Sequence, residues 1–371
     1  MSALSPGTQG LRWKTAGESH GPVLVAFLEG LPAGFRIDFD AVRNELKRRW
    51  EGHGRGLRAS FEKDELHVLA GLKGGVTLGS PLCFSLTNSD ARIDTLPNLK
   101  APRPGHVDLA GILRHKSRDM RAQLERASAR ETAARTALGA ICRQLLAVFE
   151  IQVSGRVLSV AGIPGEQVET WHAAIDAAKA SGDSLGGTLE VRAHGCPPGL
   201  GGFAQPVDRL DARLMAALAS IPAVKGVGIG AGMAAGDVPG SLFHDPIVLD
   251  PSGWAGLGRS SNHAGGIEGG LTNGQEILLQ AAVKPLPTMR KGIASVDLEN
   301  MTAAKATYER SDVCVIEAAV VVAEALLCLE LASALCARLG AVTVREMLVR
   351  FQELGKNESP ADWPSDTAGL D

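Results

Sequence analysis

One tyrosine stands in a chain of 371 residues, and aromatic side chains together make up 4%. So few flat rings leave little for bases to stack on, which argues against a binder of single-stranded nucleic acid. Charge of one sign is also lacking. The formal net charge is −3, so neither a phosphate backbone nor an anionic lipid surface attracts the whole chain, and any anion binding has to be local. Six cysteines (Cys83, Cys142, Cys196, Cys314, Cys328, Cys336) lie far apart, with no C-x-x-C pair and no zinc-site spacing. No metal is expected, and the thiols read as reduced and buried in a cytosolic protein. The opening MSALSPGTQGLRWK has no apolar segment behind a basic start, so it does not read as a secretion signal, and a cytoplasmic location is expected. Long apolar runs are absent save one, Ala318 to Leu339. It holds Glu324 and Glu330, each costing about 2.5–3.5 kcal/mol near a bilayer centre, so a buried core helix is expected rather than a membrane span.

What is present is ordinary globular material, 45% hydrophobic and 21% charged, enough to bury a large core. Val42, Leu46 and Trp50 recur every fourth residue behind Asp38, predicting a helix that the glycines of EGHGRG stop. A longer apolar stripe predicts one continuous helix from Asp119 to Phe149, alanine-rich enough to be sandwiched between neighbours. Further helices are expected over Gln167–Ala180, Asp208–Ser220 and Val344–Leu354, the last with Thr343 and Glu346 spaced as a capping box. Strands are expected at Val23–Leu28, Leu66–Leu69, Leu82–Leu86, Thr188–Ala193 and Ile277–Val283. GGVTLG at Gly74–Gly79 precedes one strand and GGLTNG at Gly269–Gly274 another, an echo that a duplicated fold would leave. A single domain over residues 1–355 is expected, followed by a disordered tail over 356–371.

GESHG at Gly17–Gly21 fits the G-x-S-x-G elbow of serine hydrolases, but it leads into a strand instead of lying between strand and helix. His20, flanked by Ser19 and a glycine, is the better working residue. GVGIGAGMAAG at Gly226–Gly236 almost spells a dinucleotide fingerprint, yet Met233 stands where the third glycine belongs, so a tight turn between strands is expected. RRWEGHGRGLR offers Arg49 and Arg55, the latter between glycines where a guanidinium can clamp an oxyanion. RPGHVD presents His106 on a Pro-Gly turn. In ERASARETAAR, Arg126 and Arg130 lie four apart, a repulsive pair on one helix face unless an anion sits between them, and Arg135 adds a third cation; a structural network with Glu125 and Glu131 is the bland alternative. Asp312, in YERSDVC, either caps the apolar helix or moves protons.

Taken in order, GESHG, the RR…GRG segment, RPGHVD with ERASARETAAR, SSNHAGGIEGGLTNG followed by VKPLPT, and ERSDVC resemble the signatures of the chorismate synthase family, from Leu11 to about Leu354. Val107, Trp50, Glu51 and Glu317 depart from its usual pattern. The resemblance implies an α+β fold, a β-α-β sandwich with a helical layer between two antiparallel sheets and a possible pseudo-twofold duplication. It implies a lyase that forms chorismate from 5-enolpyruvylshikimate 3-phosphate by 1,4-elimination of phosphate, requiring reduced FMN (FMNH2) without net redox change, and an association with NADP. His20 would support phosphate departure, His106 would protonate or hold the flavin, and Asp312, with Ser19 and Ser128, would help receive the substrate's proton. Arg49, Arg55, Arg103, Arg135 and Arg310 would grip substrate. Arg126, Ala127, Ser128, Pro222, Ala223, Gly269, Lys284, Pro285, Leu286, Pro287, Thr288 and Arg310 would contact flavin. A homotetramer and an external flavin reductase are implied partners. The alternative of another class is an arginine-rich polyanion or nucleic-acid binder.

Overall fold

In the computed structural model, residues 10–56, 58, 61–309, 311–354 and 358–362 are described. Arg310, and residues 356–357 and 363–371 of the tail expected to be disordered, lie outside them. The first half runs β1 (Arg12–Ala16), β2 (Val23–Glu29), α1 (Phe39–Trp50), β3 (Glu65–Ala70), a small hairpin of β4 (Leu72–Lys73) and β5 (Val76–Thr77), then β6 (Leu82–Thr87), α2 (Asp108–His115), α3 (Met120–Ala127) and α4 (Thr132–Ala147). The second runs β7 (Gln152–Val160), β8 (Ile163–Pro164), α5 (Val168–Ser181), β9 (Gly187–His194), α6 (Leu210–Ala219), β10 (Val224–Ile229), α7 (Gly240–Phe243), β11 (Ile247–Leu249) and β12 (Leu257–Arg259). It continues with the hairpin β13 (Ile267–Glu268) and β14 (Leu271–Thr272), then β15 (Ile277–Val283), β16 (Ala294–Asp297), β17 (Thr302–Lys305), α8 (Ile316–Leu339) and α9 (Val344–Gln352).

One sheet has the order β1-β2-β6-β3 and the other β10-β15-β9-β7-β8, both antiparallel throughout. The first four strands match β7, β9, β15 and β10 one for one, α1 matches α6, and α4 matches α8. Even the turn chemistry repeats. Thr77 Oγ1 donates to Pro32 O at 2.6 Å and accepts from Phe35 N at 2.9 Å; Thr272 Oγ1 donates to Pro197 O at 2.6 Å and accepts from Leu200 N at 2.9 Å. The echo between Gly74–Gly79 and Gly269–Gly274 therefore marks two halves of one plan.

The helical layer between the sheets is built on α4 against α8. A methyl group at Gly139 would lie 2.4 Å from Ala325 Cα, so these backbones touch directly and small side chains are required on the facing stripes. Most of α8 is buried, its Glu324 held by Arg48 Nη1 at 2.9 Å and Arg143 Nη2 at 2.7 Å, while Glu330 meets Arg213 Nη2 at 2.9 Å. The apolar run is thus a core helix with its acids paired. Asp38 caps α1 by accepting from Asp40 N and Ala41 N.

The continuous helix expected from Asp119 to Phe149 is broken at Ser128, whose ψ of 141° is extended. In an unbroken helix the Glu125 carbonyl would accept from Ala129 N; here it accepts from Ser19 N at 2.9 Å. A contact from the distant turn between β1 and β2 thus ends α3, and Ser128 Oγ starts the next turn by accepting from Arg130 N at 3.3 Å. Consequently Arg126 and Arg130 do not share a helix face. Arg126 donates to Gly17 O and Thr15 O, whereas Arg130 turns inward to Asn88 Oδ1 at 2.8 Å and to Asp64.

Candidate active site

Where the two halves meet, a cavity of about 820 Å³ opens, within the range of small-molecule sites. Corresponding pieces of both halves wall it. The end of α1 brings Arg49 and Trp50, and the end of α6 brings Ile221, Pro222 and Ala223. The approach to α4 contributes Ser128 to Arg130 and Thr132, and the approach to α8 contributes Ser311 to Val313. Ser19 and His20 enter from the β1–β2 turn, and Lys284 with Leu286 to Thr288 follows β15.

Its charge is incompletely neutralised. Buried Arg49 donates through Nε to Thr132 Oγ1 at 3.0 Å and through Nη2 to Ala129 O at 2.9 Å, but its Nη1 has no hydrogen-bond partner among the described residues. Arg55 Nη1 lies 2.8 Å from Asp312 Oδ2, while its Nε is likewise buried and unpartnered. Burial pushes Arg49 down to about 9, with Arg130 and Arg55 adding to the push and Asp64 and Asp312 opposing it. It remains a cation at neutral pH; the shift records the cost of a buried charge that an incoming oxyanion would relieve. Burial also lowers Lys284, aided by Lys225. Arg58 joins them, Nη1 donating to Ser19 Oγ at 2.9 Å and Nη2 to Ser19 O at 2.7 Å.

Two histidines face this cavity, each oriented by a buried carboxylate. His20 Nδ1 is 2.8 Å from Glu125 Oε2, and its backbone N donates to the same oxygen at 2.9 Å. Burial alone would raise Glu125, but hydrogen bonds from His20 and Arg121, with the charge of His20, hold it below the usual range. It can only accept, so His20 Nδ1 carries the proton and Nε2, 3.6 Å from Asp90 Oδ2, is left for a ligand. His106 repeats the pattern, with Nδ1 at 2.6 Å from Asp108 Oδ1. Burial opposes ionisation of Asp108 too, yet hydrogen bonds from His106 and Arg103 keep it well below the carboxylate range.

Several sequence candidates therefore converge on one cavity: Ser19, His20, Arg49, Arg55, Arg103, His106, Ala127, Ser128, Pro222, Ala223, Lys284, Leu286, Pro287, Thr288 and Asp312. Arg103 is engaged in the wall, donating to Asp108 Oδ2 at 2.7 Å and Thr288 Oγ1 at 3.0 Å. Arg126, Arg135, Gly269 and Pro285 do not line it; Arg135 binds Glu131 and Ser220 and covers Trp13. Arg58 and Asp90 line the cavity and were passed over, whereas Arg130, read as an anion ligand, pairs with protein acceptors, and Glu125, read as a partner for arginines, holds His20. Glu125 and Arg130 sit inside ERASARETAAR and Arg58 ends RRWEGHGRGLR, whereas Asp90 carries no signal in sequence. The hydrolase reading fails because Ser19 meets Arg58, and its neighbour His20 turns to Glu125 in a turn between two strands. The dinucleotide reading fails because β10 runs antiparallel to β15 with no βαβ unit.

Fold and cavity define a class: an antiparallel α+β sandwich with a small-molecule-sized cavity, lined by incompletely neutralised cations, between its halves. Residues 11–336 match the family described as chorismate synthase. The chain is 44% identical over 340 residues to chorismate synthase of Thermoanaerobacter pseudethanolicus, covering 91% of this chain and 96% of that protein. Chorismate synthase of Desulforudis audaxviator is 43% identical over 374 residues, with 91% and 95% covered. A crystal structure of chorismate synthase superposes with a TM-score of 0.76 at 35% identity, covering 93% of this chain and 97% of that one. The chain belongs to the chorismate synthase family, whose members are carbon–oxygen lyases. The polyanion-binder alternative finds no support: the arginines it invoked are mostly turned inward.

Proposed function

We propose that the chain converts 5-enolpyruvylshikimate 3-phosphate to chorismate in the shikimate pathway. A carbon–oxygen bond to phosphate breaks, a proton leaves the far end of the allylic system, and a second ring double bond forms. The observation that carries this reading is the pair of buried, unpartnered guanidinium atoms, Arg49 Nη1 and Arg55 Nε, on two residues that line the cavity and find no protein acceptor for these atoms among the described residues. A substrate with two carboxylates and a phosphate supplies the missing acceptors, and preorganised cations in a water-poor site stabilise departing phosphate best.

With Nδ1–H held by Glu125, His20 donates to the leaving phosphate from Nε2 when its ring carries a proton on both nitrogens. Asp312, held by Arg55 and by Gly56 N at 2.5 Å, takes part in moving the substrate's proton, with Ser19 and Ser128 nearby in the same wall. The cavity also fits reduced FMN: Ala127, Ser128, Pro222, Ala223 and the run Lys284 to Thr288, without Pro285, lie along one wall, and Lys284 is a half-buried cation suited to the cofactor's phosphate. Reduced flavin supplies an electron-rich ring beside the substrate and leaves in the oxidation state in which it entered. His106, locked through Nδ1 to Asp108, holds its flank. Arg126, Arg135, Arg310, Gly269 and Pro285 remain candidate ligands by family resemblance. A homotetramer in the cytoplasm, fed by a separate flavin reductase, completes the proposal. The test is anaerobic phosphate release: it should require both the substrate and reduced FMN, and release without flavin, or none with it, defeats the reading.

A further inference from the structure

Three guanidinium groups surround one indole. The Trp50 ring centroid lies 4.9 Å from Arg49 Cζ, 5.5 Å from Arg130 Cζ and 5.8 Å from Arg55 Cζ. The ring is fixed by its own hydrogen bond, Nε1 donating to Asp64 Oδ2 at 2.6 Å. Asp64 is itself buried, pairs with Arg130 Nη1, and is held at a φ of 48°. A non-glycine residue persists in that left-handed conformation where its surroundings over-determine it.

Like charges gathered in a cavity of this kind repel one another, and carboxylates alone are a poor remedy. Each carboxylate that neutralises a guanidinium also occupies the N–H groups a ligand needs. An aromatic face differs, because it attracts cations within about 6 Å electrostatically without taking up their in-plane N–H donors. Asp64 and Glu62 take up Arg130 and Asp312 takes up Arg55, yet Arg49 Nη1 and Arg55 Nε stay unpartnered among the described residues. We propose that Trp50 is a positioning residue whose indole holds Arg49 and Arg55 together as an oxyanion-binding pair beside the acid-paired Arg130, while leaving the free N–H groups of Arg49 and Arg55 to the ligand. This rests on reading the cavity as the site of a phosphorylated substrate.

The test measures the dissociation constant for inorganic phosphate, with KM and kcat for the substrate, in three variants of the full chain. Trp50→Phe keeps a weaker ring, Trp50→Leu removes it, and 5,7-difluorotryptophan placed at position 50 keeps shape and Nε1–H while emptying the π face. Phosphate affinity should fall about threefold in the phenylalanine variant, about tenfold in the leucine variant, and in between for the fluorinated ring. KM should follow that order with kcat changed much less. Unchanged affinity in the fluorinated protein shows the indole to be packing only and overturns the proposal, as does wild-type protein that does not bind phosphate. If Trp50→Leu fails to fold, the fluorinated ring decides alone. Wild-type protein that binds phosphate but never releases it from the substrate would sink the functional reading and leave the Trp50 series standing.

Discussion

The two halves share a plan and divide the work unequally. Helix α1 ends in Arg48, Arg49 and Trp50, and the corresponding α6 ends in Leu218 and Ala219 before Ser220, Ile221 and Pro222, yet both ends reach the same cavity. The end of α1 thus supplies charge and the end of α6 supplies apolar wall and backbone. Their connecting segments are just as unequal in chemistry, though they bond to each other: the stretch after β6 carries His106, Asp108 and Arg103, and the stretch after β15 meets it through Thr288 Oγ1, 3.0 Å from Arg103 Nη1. Duplication provides two matching walls. Divergence of side chains lets one cavity present a cationic face to one ligand and a flatter, partly apolar face to another.

The largest expected effect tests the joint between the connecting segments. Asp108→Ala leaves buried Arg103 without its carboxylate and should cost about 3–5 kcal/mol in denaturant unfolding at pH 7. The folded-state value of Asp108 is depressed, so its contribution is present above the unfolded value near 4 and is lost as pH falls from there towards the folded value. The gap between wild type and Asp108→Asn should therefore narrow below about pH 4, and a constant gap down to pH 2 would refute this assignment. Next, Arg49→Met should lower kcat/KM by about 10²–10³-fold, as loss of a preorganised donor to a developing oxyanion does, while Ser220→Ala at the corresponding end of α6 should change it by less than about threefold. Equal losses would break the division of labour. Thr77→Val and Thr272→Val should each cost about 1–3 kcal/mol for two buried hydrogen bonds, and by nearly the same amount if the turns are equivalent. The smallest effect lies at the helix starts: Asp38→Ala should cost about 1 kcal/mol, whereas α6 has no side-chain cap to lose, so Arg209→Ala should leave that helix start nearly unchanged.

Much of the frame was legible because it is periodic. Ile277–Val283 was read as the strand it is, and α1, α5, α6 and α9 lie within two residues of their expected bounds. β1, β7 and β10 were passed over: β1 and β7 mix polar and apolar positions without clean alternation, and β10 hides in a glycine-rich stretch whose pairing with β15 is set across the sheet. The break at Ser128 was missed because the continuous apolar stripe outweighed a serine with Glu131 at capping spacing, and because a distant amide takes the Glu125 carbonyl. In the site, motif residues such as His20, His106, Arg49 and Arg55 were legible as chemistry. The carboxylates that orient the histidines were not, because Glu125 was weighed only as a partner for the arginines and Asp108 only as the end of RPGHVD.

That diverted carbonyl has a kinetic meaning. Helix α3 cannot run on into α4 once the β1–β2 turn has docked, so docking and helix termination are one event, and the same event sets the His20 ring against Glu125. An opening that frees the Ser19 amide would let the two helices fuse and would release the His20 ring from Glu125. Exchange of that single amide against solvent deuterium should therefore track how often the site is assembled at all.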